Sequence, residues 1–148
     1  MLARDIMTTH PTVVTPDDPI TRAAELMRDR GVGVLPVIND LQSRRLAGMV
    51  TARDIVTRCV AERHAGDCRV GDHMTCTHLE SVGPDSDVSE VVAKMKSAQV
   101  RRIPVVADLR GLVGIIAVAD LAVRLRPGHP SVVEELERLM SPAAAGAS

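Results

Sequence analysis

The sequence predicts an α/β (α+β) fold made of two β-α-β-β-α units packed about a pseudo-twofold axis. Three observations carry that expectation. The chain repeats itself. Asp5-Ile6-Met7-Thr8 returns as Asp72-His73-Met74-Thr75, Leu35-Pro36-Val37-Ile38 as Ile103-Pro104-Val105-Val106, and Leu46-Ala47-Gly48-Met49-Val50 as Leu112-Val113-Gly114-Ile115-Ile116. Within each copy, short apolar runs alternate with stretches whose apolar residues have helical spacing. Each copy also sits near the lower size limit for a core of its own, so a helix stripe and a sheet face must cover each other.

In the first copy, residues 12–15 form a short β-branched strand closed by the Thr15-Pro16-Asp17 turn. Ile20, Ala23, Ala24 and Met27 mark one face of a helix that stops at Gly31. Residues 34–38 and 46–50 are strands separated by the polar loop 39–45. Ile55, Val56, Cys59 and Val60 form the apolar face of a closing helix that ends near Gly66. The second copy matches in kind. Val88, Val91, Val92 and Met95 share a helical face, residues 103–106 and 112–116 are strands, and Leu121, Ala122 and Leu125 face inward on the last helix of the repeat. The expected division is a first repeat over 3–66, a second over 67–126, and a terminal segment over 127–148. In that segment Val132, Val133, Leu136, Leu139 and Met140 mark a short amphipathic helix, which packs back on the module or on a partner chain, and 141–148 reads as a frayed tail.

Composition narrows the function. The 148 residues are 45% hydrophobic and 25% charged with a net charge of −1, so the chain is globular and has no broad basic field for nucleic acid. It contains no Phe, Trp or Tyr. The core must be aliphatic, and the aromatic platforms that stack single-stranded bases are missing. Arg4 and Asp5 interrupt the N-terminus, and the apolar run 112–119 stops at Asp120, far short of a membrane span. A cytoplasmic location follows as an expectation, with Cys59, Cys68 and Cys76 as free thiols.

The doubled β-α-β-β-α unit, the two strands with Pro-Val at their centre, and the Gly48-Met49-Val50-Thr51-Ala52-Arg53-Asp54 junction resemble a tandem pair of CBS (cystathionine-β-synthase) domains, a Bateman module. The resemblance spans about residues 3–126. Ala3-Arg4-Asp5-Ile6-Met7 and Gln99-Val100-Arg101-Arg102-Ile103-Pro104-Val105 are further similar to stand-alone CBS pairs of the actinobacterial hypoxic-response type. The resemblance implies a disc-like module that dimerises, often head to head. It also implies up to two clefts between the repeats for adenosyl ligands: AMP, ADP, ATP, S-adenosylmethionine or NAD.

By that resemblance, Asp54 takes the ribose hydroxyls, Thr51 the phosphate and Arg53 its charge, at a helix N-terminus suited to anions. The base lies against Val13, Val34, Leu35 and Pro36. The bland reading stands beside it: Thr51-x-x-Asp54 is also a capping box that needs no ligand. The second junction keeps Asp120 but has Ala117 and Ala119 where the first has Thr51 and Arg53. Its site, with Ile103 and Pro104, is expected to be weaker, empty or tuned to another ligand. Arg101 and Arg102 partly compensate as phosphate ligands, or form a solvated charge pair.

Cys68, His73, Cys76 and His78 could gather metal ligands, but the spacing is no standard zinc knuckle, so an ordinary linker is expected and zinc is not. Cys59 reads as a packed small hydrophobe. No G-x-S-x-G, P-loop or H-E-x-x-H is present, so no catalytic residue is named and no enzyme is expected. Two functions remain. One is a non-catalytic sensor that needs no resident cofactor, binds an adenosyl ligand, forms a homodimer and signals to a separate protein partner. The other is a ligand-free or metal-binding stress or interaction protein that uses the pair as a dimer scaffold.

Overall fold

The computed structural model describes residues 1–64 and 66–140. The expected tail at 141–148 and the side chains of Leu139 and Met140 lie outside the described residues. The elements are α1 (Ala3–Ile6), β1 (Thr8–Thr9), α2 (Ile20–Arg30), β2 (Val34–Ile38), β3 (Leu46–Thr51), α3 (Ala52–Asp54), a π-helix (Ile55–Val60), α4 (Val70–His73), α5 (Val88–Ala98), β4 (Arg102–Ala107), β5 (Gly111–Ala117), α6 (Val118–Leu125) and α7 (Pro130–Met140). The chain divides into two compact units.

The unit formed by Pro11–Leu79 and Asp108–Leu112 is built on the β2–β3 hairpin. Leu35 stands opposite Val50 and Val37 opposite Gly48, with the register shifting after Val37. Outside the hairpin, Val14 bridges Val37 in parallel and Thr75 bridges Met49 antiparallel. The strand expected at 12–15 is thus reduced to a single bridge. Ile20, Ala23 and Met27 of α2 pack with Val14, Leu35, Val37, Val50, Cys59 and Val70. Ala24, expected on that face, is exposed, because it lies a further 100° round the helix from Ala23. Gly31 ends α2 in the left-handed conformation, φ +66°, donating to the Met27 carbonyl.

The closing helix differs from its expected form. After one α turn it widens into a π-helix, and the Ala61 N–H reaches the Val56 carbonyl at 2.8 Å. Ile55 and Cys59 then lie along one row, and Val56 and Val60 along another. Only the first row meets the core: Cys59 is buried, whereas Val56 is 57% and Val60 64% exposed. A single four-residue apolar face was the wrong reading here: in the widened helix only Ile55 and Cys59 pack on the core, and Val56 and Val60 face away from it.

The unit formed by Met1–His10, Glu80–Ala107 and the chain from Val113 onward repeats the plan. Its sheet order is β1-β5-β4, with Thr8 opposite Ile115, and Val82 bridges Val105 in parallel. Its core joins Val91, Val92 and Met95 of α5, Ile103 and Val105 of β4, Leu121, Ala122 and Leu125 of α6, and Val133 and Leu136 of α7. Of the two placements open to α7, packing on its own chain is the one adopted, and the Lys96–Glu135 and Arg126–Glu137 pairs flank it. Helix α5 starts at Asp87, whose carboxylate accepts from the Ser89 hydroxyl at 2.7 Å and amide at 2.9 Å. These bonds hold the Asp87 carboxyl below its ordinary value.

The opening segment of each repeat belongs to the other repeat's unit: α1 and β1 join the second copy's sheet, while α4 and Thr75 join the first's. The incoming segments pass close to the central glycine of each third strand. A Cβ on Gly48 would sit 2.7 Å from the Thr75 carbonyl oxygen, and one on Gly114 would sit 2.5 Å from the Met7 sulfur. Glycine is needed there because another chain segment crosses the strand.

Candidate functional site

The first junction is formed where β3 runs into α3. Both halves of the capping box are made: the Asp54 N–H donates to Thr51 Oγ1 at 3.0 Å, and the Thr51 N–H donates to Asp54 Oδ2 at 3.0 Å. The turn is held in place by the Ala52 N–H, which donates to the Gly33 carbonyl at 2.9 Å. Asp54 Oδ1 faces Arg58 Nε at 3.8 Å, and the Asp54 side chain is 13% exposed. A carboxylate has about four lone-pair sites, so two neighbours leave room for ribose hydroxyls. The Thr51 hydroxyl accepts one bond and still has a proton to donate. The Arg53 guanidinium is exposed and has no partner among the described residues.

Burial separates the expected base-lining residues. Val13 and Val34 are half-buried, and Pro36 is buried. Leu35 turns into the core, 1% exposed, as does Ile103 in the other unit, at 0%. Both residues offer backbone edges, and at Leu35 this corrects the expected side-chain contact with the base. Pro104 is likewise buried.

The second junction has the same backbone frame with poorer chemistry. The Val118 N–H donates to the Arg101 carbonyl at 2.9 Å, matching the Ala52 bond to Gly33. Ala117 stands at the N-cap and supplies no side-chain bond. Asp120 is exposed and has no partner among the described residues, so unlike Asp54 its carboxylate is not held by the turn. Arg101 is exposed and Arg102 half-buried, and among the described residues neither guanidinium is paired.

A further group of side chains was missed by sequence reasoning. Cys59, His64, Cys68 and His73 present ligand atoms that all lie within 4.8 Å of one another. Cys76 and His78, considered together with Cys68 and His73, are not members of this group. Cys59 is buried as expected of a small hydrophobe, but its sulfur also faces this cluster. Desolvation and the neighbouring Cys59 thiol push the Cys68 thiol above its ordinary value. The signal available in the sequence was the Cys59-x4-His64-x3-Cys68-x4-His73 spacing.

The CBS domain family matches twice, over residues 3–61 and 70–126. The chain belongs to that family. This CBS pair is 35% identical over 142 residues to Hypoxic response protein 1 of Mycobacterium tuberculosis, covering 96% of each chain. A crystal structure of Hypoxic Response Protein I with two coordinated zinc ions superposes with a TM-score of 0.75 at 35% identity, over 84% of this chain and 99% of that one. The CBS domain pair of protein MJ0100, in complex with 5′-methylthioadenosine and S-adenosyl-L-methionine, superposes with a TM-score of 0.71 at 27% identity, over 86% and 97%. Among the described residues of this CBS pair no helix is long and apolar enough to cross a membrane.

Proposed function

We propose that this CBS pair is a non-catalytic regulatory module that binds an adenosyl ligand (AMP, ADP, ATP, S-adenosylmethionine or NAD) at the Thr51–Asp54 junction. The observation that carries the reading is the Asp54 carboxylate: it is fixed at a helix start, partly open to solvent, and has acceptor sites to spare. In this role Asp54 accepts from both ribose hydroxyls. Thr51 donates to the polar tail of the ligand, and Arg53 pairs with its negative charge. Val13, Val34 and Pro36 bear on the adenine, with the backbone of Leu35 beside them. The likeness to the MJ0100 pair supports an adenosyl ligand, since both molecules in that complex carry one. The second junction, with Asp120 but no hydroxyl at Ala117, binds more weakly, and Arg101, Arg102 and the strand edge at Ile103 and Pro104 supply its contacts.

Binding shifts the populations of the module's conformations, and a separate protein reads the change. The module works as a homodimer, a reading supported by the exposed Val56 and Val60 of the π-helix and by Val123 of α6, 74% exposed. Sedimentation at equilibrium checks this, and a monomer at all concentrations would remove it.

Calorimetric titration of the five ligands into the parent, Asp54→Asn and Asp54→Ala tests the site. Asparagine keeps an oxygen for the Thr51 N–H but loses the charge, so affinity should fall about 10- to 100-fold while the fold holds. Alanine loses the capping bond as well, so it should also lower stability by ~1 kcal/mol. A parent that binds none of the five, or an asparagine variant that binds as tightly as the parent, would refute the assignment.

A further inference from the structure

The geometry points to a tetrahedral zinc site formed by Cys59, His64, Cys68 and His73, separate from the adenosyl site and not dependent on it. Four observations support it.

The first is convergence. The four donors come from the π-helix, the loop after it, the residue two before α4, and the last residue of α4, yet their ligand atoms meet within 4.8 Å. Two left-handed residues, Arg63 at φ +59° and Gly66 at φ +86°, turn the loop back. The His64 N–H then donates to the Cys59 carbonyl at 3.1 Å. The loop is therefore tied to the same helical turn that carries the buried thiol.

The second is spacing. Zinc bonds of ~2.0–2.1 Å to nitrogen and ~2.3 Å to sulfur, at tetrahedral angles, place two nitrogens ~3.3 Å apart and a nitrogen and a sulfur ~3.6 Å apart. In the structure His64 Nδ1 lies 3.4 Å from His73 Nε2 and 3.3 Å from Cys68 Sγ. One imidazole nitrogen thus faces two partners at once. It carries either one proton or one lone pair, so it cannot make a full hydrogen bond to both. A cation at the centre satisfies all the donors together.

The third is charge. Two thiolates and two neutral imidazoles around a divalent ion sum to zero. Such a centre can occupy a partly dry place at little cost, consistent with Cys59 at 3% and His73 at 6% exposure. His73 is the one buried polar side chain in the described residues. On the other side, His64 is exposed and Cys68 half-buried, which gives an ion a way in.

The fourth is donor chemistry. A sulfur–nitrogen set of two and two selects zinc over magnesium, calcium or manganese, which prefer oxygen. With all four positions filled by protein, the site is structural and has no open position for catalysis.

The test uses the full chain, stripped of metal under reducing conditions and titrated with cobalt(II) as a spectroscopic probe, then with zinc. The expected result is one cobalt per chain, with the intense visible bands of a tetrahedral thiolate site, displaced by one equivalent of zinc. His64→Ala and Cys68→Ser change the rim of the site and spare the core, and each should weaken metal binding by about 100-fold or more. Cys76→Ser lies outside the group and should bind as the parent does. Circular dichroism checks that each variant is folded. If cobalt gives no thiolate-type spectrum, or if folded His64→Ala and Cys68→Ser bind zinc as tightly as the parent, the site does not exist.

Discussion

Gly111→Ala should lower the stability of the protein by ~3 kcal/mol or more, or roughly 10 °C in the thermal midpoint. Two costs combine at this residue. Its backbone is left-handed, φ +65°, a conformation that penalises any Cβ. The space is also closed: an ideal Cβ would lie 2.5 Å from the carbonyl oxygens of both Ser43 and Arg44. Neither oxygen can swing away as a side chain would. The Arg44 carbonyl accepts from the Leu112 N–H at 2.9 Å, and Arg44 Nε donates to the Leu112 carbonyl at 3.1 Å. Asp40 ties the same loop by accepting from the Gln42 and Ser43 amides, and the Ser43 bonds hold its carboxyl below the ordinary range. Gly128→Ala is the matched control, since nothing lies within 4 Å of its Cβ position, and its midpoint should hardly move. Thermal unfolding of both variants by circular dichroism is the measurement. Equal midpoints would mean that the segment does not seat on Ser43 and Arg44 as described.

Leu136→Ala should cost ~2–5 kcal/mol, the range for emptying a buried leucine site. Leu136 is fully buried, beside Val133 at 1% exposure, in the core shared with α5 and α6. The change removes apolar contact and leaves a cavity that rigid neighbours fill only in part. Chemical denaturation gives the figure, and sedimentation of the same variant separates the two placements open to α7. A large loss of stability with unchanged association is the result expected of a helix packed on its own chain. A small loss with altered association would make α7 a partner-binding helix instead.

Much of this fold was legible because its signals are local or repeated. Residues 34–38 and 46–50 are strands in a hairpin, and the α2 stop at Gly31 and the burial of Leu121, Ala122 and Leu125 follow from spacing alone. The capping box could be read from Thr51 and Asp54 because both bonds lie within four residues. What escaped was set by tertiary structure. Nothing in Ile55-Val56-Thr57-Arg58-Cys59-Val60 announces a π-turn, so Val56 and Val60 were placed inside. Leu35 was assigned to the base because its motif suggested the site, whereas the pleat of β2 turns its side chain away. The Cys59, His64, Cys68 and His73 group depends on a loop with two left-handed residues, and Cys59 was hidden within an apolar stripe.

The exchanged opening segments bear on how the chain is born. Thr8 pairs with Ile115, so β1 has no partner until most of the protein has left the ribosome. At a synthesis rate of about 5–20 residues per second, that wait lasts roughly 5 to 20 s. Thr75 meets Met49 far sooner, because it follows Met49 closely in the chain. Most of the first unit can therefore form early, and it is completed only when residues 108–112 arrive to seat on Ser43 and Arg44.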